Sequence, residues 1–430
     1  MGHLKVIITT IFLVFFAAPT GDCQDRERLL DENSLTYIGA FRLTKERVGC
    51  DAWDDCVFAY GGSPIAFDPS GNNGKGSLFI GSHVYSQKVA EVTIPDLVVS
   101  DNLNDLNTAS ILQGFNDITE GNRKNILGNG APYAHTVNHG GLMVYGDRLI
   151  GSVYTYYPSA TQVLSHYVSS KNLSEVRDFS GMYKISTAVD ARFLAGYMDT
   201  IPPEWQERLG GRAITGIGGL SIISTTSVGP SAFAFDPSDL GVKIPAPTTT
   251  LMYYPLSHPL GAPDSSNSLF NYNATVRGVV FPEGYDSVLF FGAMGVGDFC
   301  YGIGTSDRSL VGQFLPGSTT DKYDCYDPAD TGKGSHAYPY MYRVWFYDAN
   351  DFVRVRNEGL APWEIRPYRV WNFEMPFNPR NAVLLGTAYD KANRKLYISQ
   401  DHGDDSNPLI HVYQFPDPAG PRPQVLHPIK

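Results

Sequence analysis

One short pattern recurs along this chain and constrains its fold: an apolar run, a turn rich in Gly, Asp or Asn, and a second apolar run. Copies occur at 64–83, 141–154, 278–294 and 382–401, with a looser copy at 219–237. Each copy is typical of a β-hairpin, because β-branched and aromatic residues flank the turn. Irregular repetition of one hairpin over about 400 residues predicts an all-β fold, a β-propeller in which each copy belongs to one blade.

We expect a single β-propeller domain over residues 24–430. Five blades can be counted, and the total rises to as many as seven if two hairpins are too degenerate to recognise. The five are expected at 63–97, 140–186, 214–255, 277–372 and 382–415. The segment 35–42 precedes the first blade and is predicted to pair with 405–415, because closing the ring removes exposed sheet edges.

Two stretches between the predicted blades have a different character. Residues 100–134 are predicted to form a polar loop. Within 190–212, Pro203 and Gly210 mark the start and end of a short helix expected before the third blade. Long loops in a compact domain are more often functional than accidental, and in a propeller those that lead into the innermost strands open on one face.

The first residues predict a signal peptide over 1–23. Lys5 precedes an apolar stretch at 6–19, which small and polar residues follow. An uncleaved anchor is the alternative. We expect the mature protein to be secreted or periplasmic, free of the membrane and monomeric. The formal net charge of −11 argues against nucleic acid as a partner.

The cysteines fit an oxidising compartment. If Cys23 leaves with the signal peptide, four remain, and they fall into two local pairs. The simplest interpretation is two disulfides, Cys50–Cys56 and Cys300–Cys325.

A structural zinc site is the alternative for the second cysteine pair. Cys300, Cys325 and His336 offer three soft ligands in one insertion, and a distant residue such as His258 would be the fourth. Their spacing matches no compact zinc motif. The sequence leaves disulfide and zinc open.

Titratable residues in or near the long loops are the candidate catalytic groups. His135 and His139 come directly before the innermost strand of the second blade, where a histidine serves as a base or caps the strand. His166 lies within a predicted strand and is interpreted as a packed histidine.

The predicted helix supplies a second group, Tyr197 with Arg208 and Arg212. A cation near a tyrosine favours the phenolate form. The structural alternative is that Tyr197 packs on Trp205 and the arginines are solvated.

Further aromatic residues flank the third and fourth blades. They include Tyr253, Tyr254 and Tyr272, with Arg277 following. An aromatic rim with few charges suits a sugar ring, although aromatic residues in β proteins more often belong to the core.

This order of loop residues resembles the ulvan lyases, the β-propeller polysaccharide lyases of marine bacteria. The matching positions are His135 or His139, then His166, Tyr197, Arg212 and Tyr254. The resemblance implies β-elimination on a uronate-containing polysaccharide. Arg212 would neutralise the carboxylate, Tyr197 would act as base or acid, and His139 would be its partner. The Cys300–His336 insertion also resembles what such exported proteins carry around a structural metal.

Two other functions remain open. A glycosidase needs two carboxylates about 5–9.5 Å apart. The acidic loops offer Asp51, Asp54, Asp55 and Glu204, and nothing in the sequence pairs them. The other is a non-catalytic propeller that binds glycans or proteins through its aromatic face.

Overall fold

A computed structural model describes residues 28–48, 55–127, 136–157, 161–221, 226–262 and 267–419 of this chain. The fold is all-β and is dominated by five sheets, here numbered I to V in chain order, of which four have four antiparallel strands and the fifth has five strands. Within the described residues, no helix is long and apolar enough to cross a membrane.

Sheets I to III follow one another along the chain. Sheet I contains β2 (Ile65–Asp68), β3 (Ser77–Gly81), β4 (Val89–Thr93) and β6 (Ile111–Asn116). Sheet II contains β7 (Val137–Tyr145), β8 (Arg148–Thr155), β9 (His166–Ser170) and β10 (Ser180–Tyr183). Sheet III contains β11 (Tyr197–Thr200), β12 (Ala213–Gly216), β13 (Ala232–Phe235) and β14 (Thr248–Met252).

Sheets IV and V complete the set. Sheet IV contains β15 (Thr275–Val280), β16 (Ser287–Gly295), β20 (Tyr340–Asp348) and β21 (Arg369–Phe373). Sheet V contains β22 (Leu384–Asp390), β23 (Lys395–Asp404), β24 (Asn407–Gln414) and, from the start of the chain, β1 (Thr36–Leu43). A two-residue strand, β5 (Thr108–Ala109), adds to β1 in parallel.

Smaller elements lie in the connections. A three-stranded sheet, here called the small sheet, is inserted between β16 and β20 and contains β17 (Cys300–Thr305), β18 (Tyr323–Tyr326) and β19 (Lys333–His336). The helical segments are the single turn α1 (Gly71–Gly74), α2 (Pro203–Leu209) and α3 (Ala349–Asn357). Short 3₁₀ helices cover Glu32–Ser34, Leu103–Asp105, Asn122–Lys124, Ala191–Leu194, Pro237–Asp239 and Arg308–Leu310.

Apolar side chains from both faces of each sheet build the core. Five large clusters of buried residues lie between sheets I and II, II and III, III and IV, IV and V, and V and I. Sheet IV shows most clearly why some strands of this sequence are continuous apolar runs. Its two central strands are apolar at nearly every position, with Phe290 opposite Trp345, because sheets cover both of its faces.

The first strands of the five sheets contact one another in the same cyclic order. Glycine permits this close approach at one position in β7. A Cβ atom on Gly140 would lie 1.7 Å from the carbonyl oxygen of Ala195, just before β11. The backbones of the two chain segments therefore touch without a side chain between them.

The pairing predicted for the two ends of the chain is confirmed. Thr36 lies opposite Gln414 and Arg42 opposite Leu409 in the antiparallel pair of β1 and β24. Arg42 also forms an ion pair with the buried Asp404, at 2.8 Å.

The boundaries of two sheets differ from the prediction. Sheet III begins at β11, and α2 lies between β11 and β12 instead of before the blade. The first strand has only four residues and no Gly/Asp turn follows it, so it lacks the hairpin pattern. Sheet I likewise ends with β6, inside the stretch 100–134 that was predicted as a loop.

Candidate binding pocket around Arg277

Two cavities lie at opposite ends of the five first strands. One, of about 450 Å³, is lined by residues that precede or begin these strands, such as Ser63 and Asn138. The other, of about 470 Å³, is lined by residues at their far ends, such as Phe67 and Thr200. A third, much smaller cavity of about 10 Å³ shares Arg277 with the first cavity and Thr387 with the second. We call the first cavity the Arg277 pocket.

Arg277 supplies the positive charge of this pocket. Its Nη1 donates a hydrogen bond to the hydroxyl of Tyr154 at 3.3 Å. Its Nε is buried and, among the described residues, meets no acceptor. No described carboxylate lines the pocket. A partly desolvated guanidinium with unused donors favours an anionic ligand, above all a planar carboxylate that can accept two hydrogen bonds.

Tyrosines form most of the remaining wall. Tyr60, Tyr85, Tyr154, Tyr156 and Tyr157 all line the pocket. Tyr156 and Tyr157 pack edge to face, with ring centroids 4.7 Å apart. Tyr85 is 69 % exposed at the rim. Flat rings that are open to solvent around a cation suit a ligand with an apolar face and a negative charge.

The small sheet extends this aromatic rim. Burial raises the pKa of Tyr156, and neighbouring tyrosines, Tyr272 and Tyr301 among them, add to the rise. Tyr301 lies in β17 and is 54 % exposed, and Tyr272 packs edge on against Phe299 at 5.0 Å. The insertion therefore places Tyr301 near enough to Tyr156, a residue of the pocket wall, for the two to interact electrostatically.

A disulfide holds the small sheet together. Cys300 and Cys325 are bonded, with Cα atoms 5.8 Å apart, so the predicted bridge is confirmed. The alternative zinc site is wrong for these ligands because each sulfur is bonded to the other. His336 instead lies buried with Nδ1 2.9 Å from the carboxylate of Asp327. Among the described residues, no group of three or more potential ligands is arranged for a metal ion.

Gln87 and His139 form a rigid inner wall. The Gln87 side chain accepts a hydrogen bond from the His139 amide at 2.7 Å and donates one to Asn138. The carbonyl oxygen of Gln87 lies 3.1 Å from His139 Nε2, and the hydroxyl of Tyr167 lies 2.9 Å from His139 Nδ1. Both ring nitrogens are therefore occupied by protein groups.

His139 is consequently a neutral structural group in this pocket. Burial, together with the positive charge of Arg123, lowers its pKa to about 4, although Asp117 acts in the opposite direction. A histidine that is buried, neutral and doubly hydrogen-bonded is poorly placed to take a proton from a ligand.

Three other predicted site residues lie in the core. Tyr197 begins β11 and donates its hydroxyl hydrogen to the carbonyl oxygen of Ser231 at 2.9 Å. Tyr254 donates to the carbonyl oxygen of Ile365 at 2.9 Å. Burial raises the pKa of both hydroxyls well above the ordinary value.

His166, which was interpreted as a packed histidine, is indeed buried at the start of β9. Its ring lies between the hydroxyls of Ser165 and Thr215, and burial lowers its pKa to about 3.

Arg212 lies toward the far ends of the first strands. Its side chain is 55 % exposed and pairs with Asp236 at 3.4 Å. It also interacts with Tyr145, which lines the second cavity. The structure therefore separates Arg212 from His139. His135 and Cys50 lie outside the described residues.

The acidic candidates for glycoside hydrolysis do not meet either. Asp51 and Asp54 lie outside the described residues. Asp55 is 3.9 Å from His83, whereas Glu204 accepts a hydrogen bond from the Gly284 amide. These two carboxylates have different partners in different parts of the fold.

The sequence contained part of the signal for this pocket. Arg277 and Tyr272 were recognised as residues that precede a blade, but Tyr154, Tyr156 and Tyr157 were not singled out. Tyr154 lies near the end of β8, and Tyr156 and Tyr157 follow it, in the loop between the second and third strands of sheet II. The position of that loop, together with three tyrosines in four residues, was the available signal.

Comparisons with known proteins identify no family. The sequence matches no family profile, and no curated protein matches it significantly. The Raptor structure from Chaetomium thermophilum is 9 % identical with a TM-score of 0.29, and the match covers 93 % of this chain and 31 % of that one. A humanized Polycomb Repressive Complex 2 from the same organism is 10 % identical, with a TM-score of 0.29 and coverage of 87 % and 97 %. TolB from Acinetobacter baumannii is 9 % identical, with a TM-score of 0.22 and coverage of 81 % and 63 %. Likenesses this weak carry no argument about function.

Proposed function

We propose that the five sheets are the blades of one closed β-propeller. Two observations support a ring. The first strands contact one another in cyclic order, and an apolar cluster fills the space between sheets V and I as it does between every other consecutive pair. The N-terminal strand β1 completes the last blade by pairing with β24. Such closure leaves no unpaired sheet edge between the first and last blades.

The proposed function of this propeller is to bind an acidic glycan, with a uronate residue seated in the Arg277 pocket. The observation that carries the proposal is the buried Nε of Arg277, a charged donor that no described protein group satisfies. A sugar carboxylate would accept from Nε and from an Nη group together, the geometry that guanidinium favours.

The tyrosines account for the rest of the ligand. A pyranose ring has an apolar face that stacks on a flat aromatic ring, and its hydroxyls reach the polar groups around it. Tyr156 and Tyr157 present rings beside Arg277, and Asn138 lines the same pocket with an amide. The overall charge of −11 makes this local cation a selective feature, because the rest of the surface repels polyanions.

Export from the cytoplasm belongs to the same proposal. The Cys300–Cys325 bridge, together with a disulfide-bonded Cys56, fits a secreted or periplasmic protein, where such bonds persist. An exported protein has access to polysaccharides outside the cell, which is the ligand class proposed here.

Binding of oligogalacturonate, measured by isothermal titration calorimetry, tests the proposal, with a neutral cello-oligosaccharide as comparison. Arg277→Met should weaken binding about 10-fold or more, because a hydrogen bond to a charged group contributes about 1.5–3 kcal/mol. Arg212→Met is the matched control, since it removes an arginine that pairs with Asp236 away from this pocket.

Several outcomes would contradict the proposal. Equal affinity for the neutral probe would remove the role of the charge. An unchanged affinity in Arg277→Met would exclude this pocket. Tighter binding of dextran sulfate than of oligogalacturonate would mean that the pocket recognises a sulfate group and not a carboxylate.

A polysaccharide lyase is the second candidate, and the contact between Tyr154 and Arg277 favours it. In β-elimination the C5–H bond and the C4–O bond of the uronate break and a C4–C5 double bond forms. Arg277 would stabilise the carboxylate, while the Tyr154 phenolic oxygen, 3.3 Å from the guanidinium, would take the C5 proton and return it to the O4 oxygen of the departing sugar. These residues would take the roles first expected for Arg212 and Tyr197.

Absorbance in the near ultraviolet separates lyase from binding protein, because elimination creates an unsaturated sugar. A lyase should produce this absorbance on a uronate polysaccharide and lose it in Tyr154→Phe with binding retained. Binding without absorbance on any uronate polymer would reject the lyase and leave the binding proposal in place.

A further inference from the structure

The second cavity, at the far ends of the first strands, has the chemistry of a separate binding site. We call it the Asp199 pocket. Its volume of about 470 Å³ lies in the range of small-molecule sites. Its walls are mostly apolar and include Phe67, Leu142 and Met198. This cavity is separate from the Arg277 pocket, since the two have no lining residue in common.

Two aspartates line this apolar cavity, Asp199 and Asp390, and the Asp390 carboxylate accepts hydrogen bonds from Asn393. Asp199 lies in β11 and accepts a hydrogen bond from the Thr200 amide at 2.7 Å and a longer one from the Phe281 amide at 3.4 Å. Burial raises its pKa to about 6, although the ammonium of Lys391 acts in the opposite direction. Lys391 forms its ion pair with Glu283, so among the described residues no ion pair neutralises the Asp199 carboxylate.

An unpartnered hydroxyl lies close to this carboxyl. Tyr389 lines the same cavity, is 8 % exposed, and its hydroxyl is buried with no hydrogen-bond partner among the described residues. The charges of Glu283 and Asp199 both act on this hydroxyl. Lys391 is directed to Glu283, with Nζ 3.5 Å from the carboxylate. A buried hydroxyl without a partner is costly unless a ligand or water satisfies it.

We infer that the Asp199 pocket binds a small apolar molecule that carries an ammonium group. The ammonium would donate hydrogen bonds to Asp199 and to the oxygen of Tyr389, and the apolar body would cover Phe67 and Met198. An ammonium has three donors and no acceptor, so it matches a carboxylate beside a hydroxyl oxygen. The nearby aromatic rings add cation–π attraction.

Phenethylamine is a suitable probe, because it pairs an aromatic body with a primary ammonium. Its matched anionic counterpart is 3-phenylpropionate, which has a similar size and the opposite charge. Titration calorimetry on the full chain should show binding of the amine at least tenfold tighter than binding of the acid. Stronger binding of the acid would mean that Lys391 sets the preference and would overturn the inference, as would binding of neither probe.

Two variants assign the binding to the pocket. Asp199→Asn keeps the side-chain shape and should reduce amine affinity at least tenfold, and Tyr389→Phe should reduce it several-fold. Asp236→Asn is the control, because this carboxylate pairs with Arg212 and does not line the cavity. Unchanged amine affinity in Asp199→Asn would overturn the inference. Oligogalacturonate binding in the same variant verifies that the fold is intact.

Discussion

Three buried histidines predict a steep loss of stability in mild acid. His139, His166 and His411 are each at most 2 % exposed. Burial lowers their pKa values to about 4, 3 and 3, from 6.5. His139 and His411 each have one ring nitrogen near a carbonyl oxygen and the other near a hydroxyl, and the His166 ring lies between two hydroxyls, so all three fit a neutral imidazole. The folded protein therefore excludes protons that the unfolded chain binds.

The magnitude follows from proton linkage. Stability from a group with a lowered histidine pKa is complete above the unfolded value of 6.5 and is lost as the pH falls toward the folded value. Between pH 7 and pH 5 each histidine costs about 1.8 kcal/mol, and the three together cost about 5 kcal/mol. This figure depends little on the folded values, because all of them lie below 5.

Asp199 opposes this loss. Its pKa is raised from 3.8 to about 6, so the cost of keeping it charged in the fold is relieved as the pH falls below 6. The relief between pH 7 and pH 5 is about 1.3 kcal/mol. The loss of stability from the histidines exceeds the relief from Asp199. The net loss is about 4 kcal/mol, a large share of a typical stability of about 5–15 kcal/mol.

Urea unfolding followed by tryptophan fluorescence at the two pH values measures this loss. His411→Gln keeps a donor for Gln400 and removes the titrating ring, so the pH dependence should shrink by about 1.8 kcal/mol. His402→Gln is the surface control, since that side chain is 35 % exposed. A total change below about 1 kcal/mol, or an unchanged pH dependence in His411→Gln, would refute the reasoning.

Three further predictions concern single contacts. Gly140→Ala should destabilise the fold by about 3 kcal/mol or more in urea unfolding, because the new Cβ would meet the backbone oxygen of Ala195 at 1.7 Å. Replacing both Cys300 and Cys325 by Ser should remove about 3 kcal/mol of loop constraint, and hydrogen exchange should rise in the small sheet and stay unchanged in sheet II. Tyr156→Ala should weaken oligogalacturonate binding several-fold in calorimetry without changing the unfolding midpoint, because it removes a partly exposed ring of the pocket.

The sequence predicted much of this architecture because hairpins are local. Each of the strong copies maps onto the first two strands of a sheet, and the cysteine pair of the insertion was correctly joined. The first strand of sheet III was not predicted, because Tyr197–Thr200 is followed by α2 and not by a tight turn.

The candidate site was less accessible from sequence because it depends on contacts between sheets. Tyr154 lies near the end of β8 and Arg277 lies in β15, so only the packing of separate sheets brings them to 3.3 Å. Tyr197 and Tyr254 were candidates because the sequence does not reveal that their side chains are buried. A tyrosine in a predicted loop has the same sequence appearance whether its hydroxyl faces a ligand or a backbone carbonyl of the core.

The pairing of β1 with β24 has a consequence for the order in which this protein folds. Because Thr36 needs a partner at Gln414, sheet V cannot form until the last strand has been synthesised, whatever the earlier sheets have done. Contacts so distant along the chain slow folding, since a long loop must close first. Joining the two ends and opening the chain at another hairpin would turn this pair into a local one, so a circular permutant of that kind should fold faster than the natural order of strands allows.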